Sequence, residues 1–414
     1  MTARTTAADA LDSSVGPREK AAATARILGR LAGTTGHVAV ERATRRKART
    51  ADDIPVTAEE ITPEWLTAVL CRETPGARVL SFDVPGGSSG TSTRHGLRLV
   101  YNDEGRAAGL PTRLYTKTTA SVTQRLIQGL AGIIEGEIEF FNRVRPRLEI
   151  ETPVGYHSAV DRRSWRSISV LEDITQTRGA TFLHADQRFD RKAIEDLLSD
   201  LATLHGTMWE DREVTRPDSW MPTPHDLLMS IKTSINMRKR SVIGAERAKA
   251  VVSEDLRGRA DELWFAFERS MALATVGPRT FLHGDAHVGN TYRTAGGRTG
   301  YTDWQMVRRG SWAFDFALSV TTVLEVEDRR AWERELLEFY LGRLAAAGGE
   351  PPELEEAFEM YRVQTLYPYH SWTYTIGRGP LQPKMQPDRL CLPIIERSAA
   401  VIEDLGAIEA ANRR

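Results

Sequence analysis

The chain has 414 residues, 41% hydrophobic and 27% charged, which excludes disorder throughout, and its two cysteines, Cys71 and Cys391, exclude a disulfide framework. Its 55 Lys and Arg nearly cancel 56 Asp and Glu, which argues against a general nucleic-acid binder. No stretch approaches the ~18 apolar residues that span a bilayer, so no membrane span is expected, and so few cysteines point to a reducing cytoplasm.

The charge is uneven along the chain. Residues 1–50 hold ten Lys and Arg against four Asp and Glu, a surplus of +6, so the remainder sums to −7. A basic tail over residues 1–51 is expected, flexible or partly helical, with one weakly amphipathic stretch from Arg18 to Leu31 and a basic run at Arg45-Arg46-Lys47-Ala48-Arg49. A contact arm for a partner or an anionic surface is the other reading of the tail. Order is expected from about Asp52. Thr62-Pro63-Glu64-Trp65-Leu66 reads as a capped helix start. Strands are predicted at Arg78 to Val84, Thr91 to Tyr101 and Arg113 to Thr119, with a turn at Asn102-Asp103-Glu104-Gly105. A helix is predicted from about Thr123 to Arg145 on the stripe Leu126, Leu130, Ile133, Ile134, Ile138 and Phe141, ended by Pro146. Two more strands follow, Val154 to Val160 and Ser167 to Leu171. Beyond Leu171 the pattern is mostly helical, opening with the stripe Ile194 to Met208, and carries one strand-like piece near Gly300 to Thr302. The expected fold class is α+β: a small five-stranded lobe with one main helix, then a larger helical lobe.

Chemistry concentrates between Phe281 and Asp315. The run His283-Gly284-Asp285-Ala286-His287-Val288-Gly289-Asn290 is followed by Thr302-Asp303-Trp304-Gln305. Two carboxylates and an amide are oxygen donors of the kind Mg²⁺ takes, which binds through one or two carboxylates together with substrate phosphates. Asp303 and Asn290 suit that task, leaving Asp285 to orient a hydroxyl and accept its proton. The Asp-to-Asn spacing of five equals that of the protein-kinase catalytic loop. Two other readings stay open. His283, Asp285 and His287 alternate as metal ligands on a strand do, although that leaves Asn290 and Asp303 idle, or the residues are ordinary turn polar groups.

His-Gly-Asp-x-His-x-Gly-Asn followed by Asp-Trp resembles the signature of the aminoglycoside phosphotransferase and choline kinase superfamily. The second His and the Trp-Gln after Asp303 resemble its ecdysteroid-kinase-like branch most. The resemblance covers roughly Asp52 to Leu405 and implies a bilobal protein-kinase-like fold. It implies an N-lobe over 52–172, a helical C-lobe over 173–414, and ATP and Mg²⁺ as cofactors. Under it Lys117 grips phosphates and Glu137 holds Lys117. The Gly86-to-Ser92 loop, through Gly87, Ser88, Gly90 and Thr91, covers the phosphates. Backbone groups around Glu172 and Ile174 meet adenine. Asp285 is the catalytic base and Asn290 and Asp303 the metal ligands. His283 and Asp315 brace the catalytic loop, and His205 is a core or capping histidine.

The reaction implied is transfer of the γ-phosphoryl group to a small-molecule hydroxyl. Trp209 to Met237 and Tyr361 to Tyr374 are candidate acceptor walls, with Trp220, Tyr369 and Trp372 foremost. Their aromatic and Met content suits an apolar alcohol, sterol-like or hydroxyacyl, better than an aminoglycoside. Alternatives are an antibiotic-modifying kinase of aminoglycoside or macrolide type, a nucleotide-binding regulatory protein with a kinase fold, and a metallohydrolase.

Overall fold

A computed structural model describes residues 17–44, 46–234, 236–379 and 386–413. Residues 1–16 and Arg45 of the basic tail lie outside them. Helix α1 (Pro17–Thr44) is docked by its last turns: Glu41 pairs with Arg125 at 2.5 Å and Arg166 at 3.2 Å. Arg30 stacks its guanidinium 4.7 Å from the Trp165 ring. Helix α2 (Pro63–Leu70) starts where the sequence predicts, with the Thr62 hydroxyl accepting from the Trp65 N–H at 3.1 Å.

The first lobe is an antiparallel sheet of β1 (Val79–Asp83), β2 (Gly87–Ser89), β3 (Thr93–Tyr101), β4 (Arg113–Thr118), β5 (Gly155–Asp161) and β6 (Arg166–Glu172). Its order is β1-β3-β4-β6-β5, with β2 paired to β3 alone. The sheet therefore has six strands where five were expected, because the glycine-rich loop folds back as a hairpin, Ser88 opposite Arg94. The predicted turn after β3 is the cap of a short helix, Asp103–Ala107. The Asn102 side chain accepts from the Gly105 N–H there. Trp65, Leu66, Leu97, Leu99, Leu114, Ile168 and Val170 form this lobe's core.

The helix expected over 123–145 is broken. α3 (Val122–Leu130) ends before Gly132, whose φ of +67° turns the chain. α4 (Gly136–Glu139) then runs into a π-helical turn, Phe140–Val144. α3 also inverts the expected amphipathicity. Gln124, Arg125 and Gln128 are buried, while Ile127 and Leu130 are exposed. The buried amides and guanidinium are satisfied by backbone: Arg125 bonds the carbonyls of Thr119 and Ser164, and Gln124 those of the β2–β3 turn.

The second lobe is built on α5 (Arg191–Thr207), α6 (Met237–Arg247), α7 (Ala260–Leu273), α8 (Ala313–Val323), α9 (Val326–Ala346), α10 (Leu354–Gln364), α11 (Leu366–Ile376), α12 (Asp388–Leu405) and α13 (Ala407–Arg413). Every residue of α8 is buried, its polar Asp315, Ser319, Thr321 and Thr322 among them. Two small sheets sit against this bundle. One is β10 (Thr299–Tyr301), β9 (Thr291–Arg293) and β7 (Thr181–Phe182); the other pairs β11 (Arg308–Gly310) with β8 (Thr280–Leu282). The segment 283–290 leaves β8 and enters β9, and Asp303 follows β10, so both motifs emerge side by side facing the first lobe.

Candidate active site

β4 carries Lys117 across from Arg94 on β3 and Ser169 on β6. The Lys117 Nζ donates to Glu137 Oε1 at 3.0 Å and to Asp303 Oδ1 at 2.9 Å. Arg94 Nη2 stands 4.0 Å from the other Asp303 oxygen. Burial pushes the Lys117 ammonium down, but the carboxylates of Asp303 and Glu137 outweigh it and hold the group above its ordinary range. Burial likewise works against the Asp303 carboxylate, and Lys117 and Arg94 overcome it, so Asp303 stays below its ordinary value. Glu137 is raised, because burial and the nearby Asp303 charge exceed the help from Lys117. Glu139, also buried, pairs instead with Arg143 and Arg162.

Asp303 adopts φ 63° and ψ 68°, a left-handed conformation that Asp tolerates better than most residues and that concentrates at functional sites. The two residues after Trp304 are clamped between glycines. A Cβ on Gly136 would meet the Gln305 carbonyl at 2.4 Å, and one on Gly284 would meet the Met306 carbonyl at 2.0 Å. Trp304 stacks on Phe140 with centroids 3.8 Å apart and an interplanar angle of 6°. Its indole N–H donates to Thr152. Its other neighbour is the His283 ring at 4.4 Å. One indole thus locks the π turn of the first lobe, the Asp303 loop and the His283 loop together.

In the His283 loop, Asp315 accepts from the backbone N–H groups of His283 at 2.6 Å and Gly284 at 2.9 Å. His205, wholly buried, bridges Asp315 and the Tyr340 hydroxyl. Both ring nitrogens of His283 meet the backbone: Nε2 lies 3.2 Å from the Thr302 carbonyl, and Nδ1 accepts from the Asp285 N–H at 3.3 Å. Burial keeps His283 below its ordinary pKa. A ring so committed has no nitrogen left for a metal, and no cluster of three or more His, Cys, Asp or Glu gathers as metal ligands among the described residues. Asn290 donates its amide to the Asp285 carbonyl and to Asp285 Oδ2, both at 2.9 Å. His287 accepts from the Gly289 N–H and faces Asp285 Oδ2 at 3.6 Å.

The glycine-rich hairpin is tied to α3. Gln124 Nε2 donates to the Gly90 carbonyl at 3.0 Å, and Gln128 Nε2 to the Thr91 carbonyl at 2.6 Å. Gln305 in turn donates to Gln128 at 3.3 Å, so an amide chain joins the hairpin to the loop that carries Asp303. At the lobe connector Glu172 pairs with Arg178, and Arg178 also reaches Glu151; Ile174 starts a short turn whose carbonyl accepts from Arg178 and Ala180. Among the aromatic candidates, Trp372 sets its ring 5.2 Å from His287. Trp220 packs near Phe281 and borders a cavity of about 340 Å³ with Trp165, Pro222 and Val307. Tyr369 is not brought to this place. It lines a different cleft with Arg238, Trp264 and His370, about 200° around α11 from Tyr367.

The model of the phosphotransferase enzyme family matches residues 107–357, more than half of the chain. The chain belongs to this family. No curated protein matches it. Among solved structures, the choline kinase LicA from Streptococcus pneumoniae is similar at 14% identity and TM-score 0.40, over 80% of this chain and 94% of that one. The GDP complex of aminoglycoside 2'-phosphotransferase-IIIa is similar at 13% and 0.42, over 85% and 100%. The macrolide 2'-phosphotransferase MphH from Brachybacterium faecium is similar at 13% and 0.38, over 76% and 95%. Family membership agrees with the α+β, two-lobed arrangement described above, and no helix among the described residues is long and apolar enough to cross a membrane.

The phosphotransferase's donor set fits a hard cation. With its amide nitrogen on Asp285, Asn290 leaves its carbonyl oxygen as the acceptor, and Asp303 is an ionised carboxylate at a part-exposed position. Sequence reasoning missed Arg94, Gln124, Gln128 and Arg308. Arg94 and Lys117 are cross-strand partners, so pairing β3 with β4 in register would have found the first.

Proposed function

We propose that this phosphotransferase is an ATP-dependent kinase of a small-molecule hydroxyl, similar in its motif to the ecdysteroid-kinase-like branch, with residues 52–172 as the N-lobe and 173–414 as the C-lobe. The observation that carries the reading is the convergence of Lys117 on both Glu137 and Asp303, next to the Asp285–Asn290 contact. Lys117 and Arg94 offer donors to nucleotide phosphates, Glu137 keeps Lys117 in place, and the Gly87–Ser89 hairpin with Gly90 and Thr91 lies above them. The connector at Glu172 and Ile174 presents backbone to the base. Asp303 and the Asn290 carbonyl oxygen would hold Mg²⁺, which supplies charge neutralisation on the phosphates. Asp285, oriented by Asn290, receives the acceptor's hydroxyl proton. Asp315 and His283 keep the loop in shape. Most of the acceleration comes from positioning and electrostatics.

The acceptor side is walled by Trp220 and Trp372, which suits an apolar or amphipathic alcohol, sterol-like or hydroxyacyl, rather than a polycation. Purified protein with ATP and Mg²⁺ is expected to transfer the γ-phosphoryl group to members of an alcohol panel, read by mass. Asp285→Ala is expected to lower that rate at least ~100-fold with an unchanged melting temperature. Transfer by Asp285→Ala at the wild-type rate would overturn the reading.

A further inference from the structure

Arg308 is a buried charged side chain with no carboxylate in direct contact. It is 1% exposed. Its Nε has no hydrogen-bond partner, and its guanidinium makes one weak polar contact, Nη2 to the Met306 sulfur at 4.0 Å. No carboxylate of the described residues lies within ion-pair distance. By contrast the other most deeply buried arginines each have a carboxylate partner: Arg125 pairs with Glu41, Arg329 with Glu333, and Arg397 with Glu325. A buried cation without a counter-ion is costly, and native proteins carry such groups rarely.

Its position says what would complete it. Arg308 lies opposite Leu282 on β8, and its side chain runs past Gly284, next to Asp285. The acidic and phenolic groups that act on it are Tyr367 on α11, Asp285, Asp226 of the Pro224–Ser234 helix, and Asp315. Burial still draws its pKa down against all four. The nucleotide side of the cleft has its own cations, Lys117 and Arg94, both at Asp303. Arg308 lies instead beside Asp285 and Tyr367, the latter on the helix whose Trp372 sets its ring against His287.

We infer that Arg308 is the binding site for an anionic group of the acceptor, so that the substrate is an alcohol which also carries a carboxylate or phosphate, a hydroxy acid in the simplest case. This rests on the kinase reading and narrows its acceptor class. The guanidinium offers a planar fork that a carboxylate or phosphate accepts in two hydrogen bonds, and it would hold the molecule with its hydroxyl beside Asp285.

Two measurements test it on the full chain. The first is thermal unfolding with and without sodium phosphate or 3-hydroxybutyrate, against matched chloride. Wild-type protein is expected to melt higher with either anion. Arg308→Met, which removes both hydrogen bonds, is expected to bind them at least ~tenfold more weakly, a bound that a single charge-assisted hydrogen bond already reaches. Without anion, Arg308→Met is expected to melt at or above the wild-type temperature, because it removes an uncompensated charge. Lys117→Met is expected to retain the 3-hydroxybutyrate shift. The second is ATP-dependent phosphorylation of 3-hydroxybutyrate against its amide. The wild type should prefer the acid, and Arg308→Met should lose that preference through KM for the acid. Equal 3-hydroxybutyrate shifts in wild type and Arg308→Met, a 3-hydroxybutyrate shift lost in Lys117→Met but kept in Arg308→Met, or a ligand-free Arg308→Met that melts several degrees lower would each overturn the inference. Failure of the kinase reading looks different: the wild type would then show no shift with ATP and Mg²⁺.

Discussion

Replacing Lys117 by Met isolates the electrostatics of the site. Lys117 and Glu137 side chains are each 7% exposed, and the lysine is the hydrogen-bond partner of the Glu137 carboxylate. Removing the ammonium leaves a buried carboxylate unpaired, which costs about 3–5 kcal/mol if it stays charged. Glu137 has an escape, because it can take up a proton. From its ordinary value of 4.5, that costs about 3.4 kcal/mol at pH 7 and under about 1 kcal/mol at pH 5, at 1.36 kcal/mol per pH unit. The sign follows from a folded pKa raised above the unfolded one: the variant is least penalised below the unfolded value and loses stability as pH rises toward the folded one. Urea unfolding followed by tryptophan fluorescence should therefore show Lys117→Met about 3 kcal/mol less stable than wild type at pH 7 and about 1 kcal/mol less stable at pH 5. Adding Glu137→Leu should recover most of the pH 7 loss, since the charge that needed a partner is gone. A penalty that is the same at both pH values, or a double variant no more stable than Lys117→Met, would refute the reasoning.

The remaining predictions concern the supporting structure. Gly284→Ala should cost at least ~2 kcal/mol and abolish transfer, because its φ is +76° and the new Cβ would sit 2.0 Å from the Met306 carbonyl; unfolding and activity assays together check this. Gln128→Leu should speed amide exchange over residues 86–92 and raise KM for ATP more than it lowers kcat, because it cuts the amide chain from Thr91 to Gln305. Acidification should destabilise the protein before most carboxylates titrate. Burial lowers His370 from 6.5 to about 3, so the stability it contributes is complete above pH 6.5 and falls by about 2 kcal/mol by pH 5. His370→Gln should flatten that dependence in urea titrations between pH 5 and 7.

The local motifs were legible because their chemistry is short-range. The run His283 to Asn290 carries its chemistry within eight residues, and Lys117 could be placed because it falls in the third strand-like segment, where the family resemblance puts a phosphate-gripping lysine. What the sequence hid is set by contacts across the chain. The stripe of apolar residues on α3 pointed to the wrong buried face, since Gln124, Arg125 and Gln128 are drawn inward by carbonyls of the β2–β3 turn and of Thr119 just after β4, and by the Glu41 carboxylate of α1. The break at Gly132 and the π turn at Phe140–Val144 follow from Gly136 pressing on Gln305 and Phe140 stacking on Trp304, partners over 160 residues away. Arg94 acquires its place from strand register, and Arg308 from the β8–β11 pairing. Tyr369 and Tyr367 look alike in sequence, and only the rotation of α11 decides that one meets α6 and the other Arg308 and Asp285.

The most direct test is the dependence of γ-phosphoryl transfer on Asp303. Wild-type protein with ATP should transfer phosphate to an accepted alcohol only when Mg²⁺ is supplied. Asp303→Asn should lose at least ~100-fold of that rate while keeping the wild-type fold by circular dichroism. Magnesium-independent transfer, or full activity in Asp303→Asn, would contradict the assignment of this cleft as a kinase site.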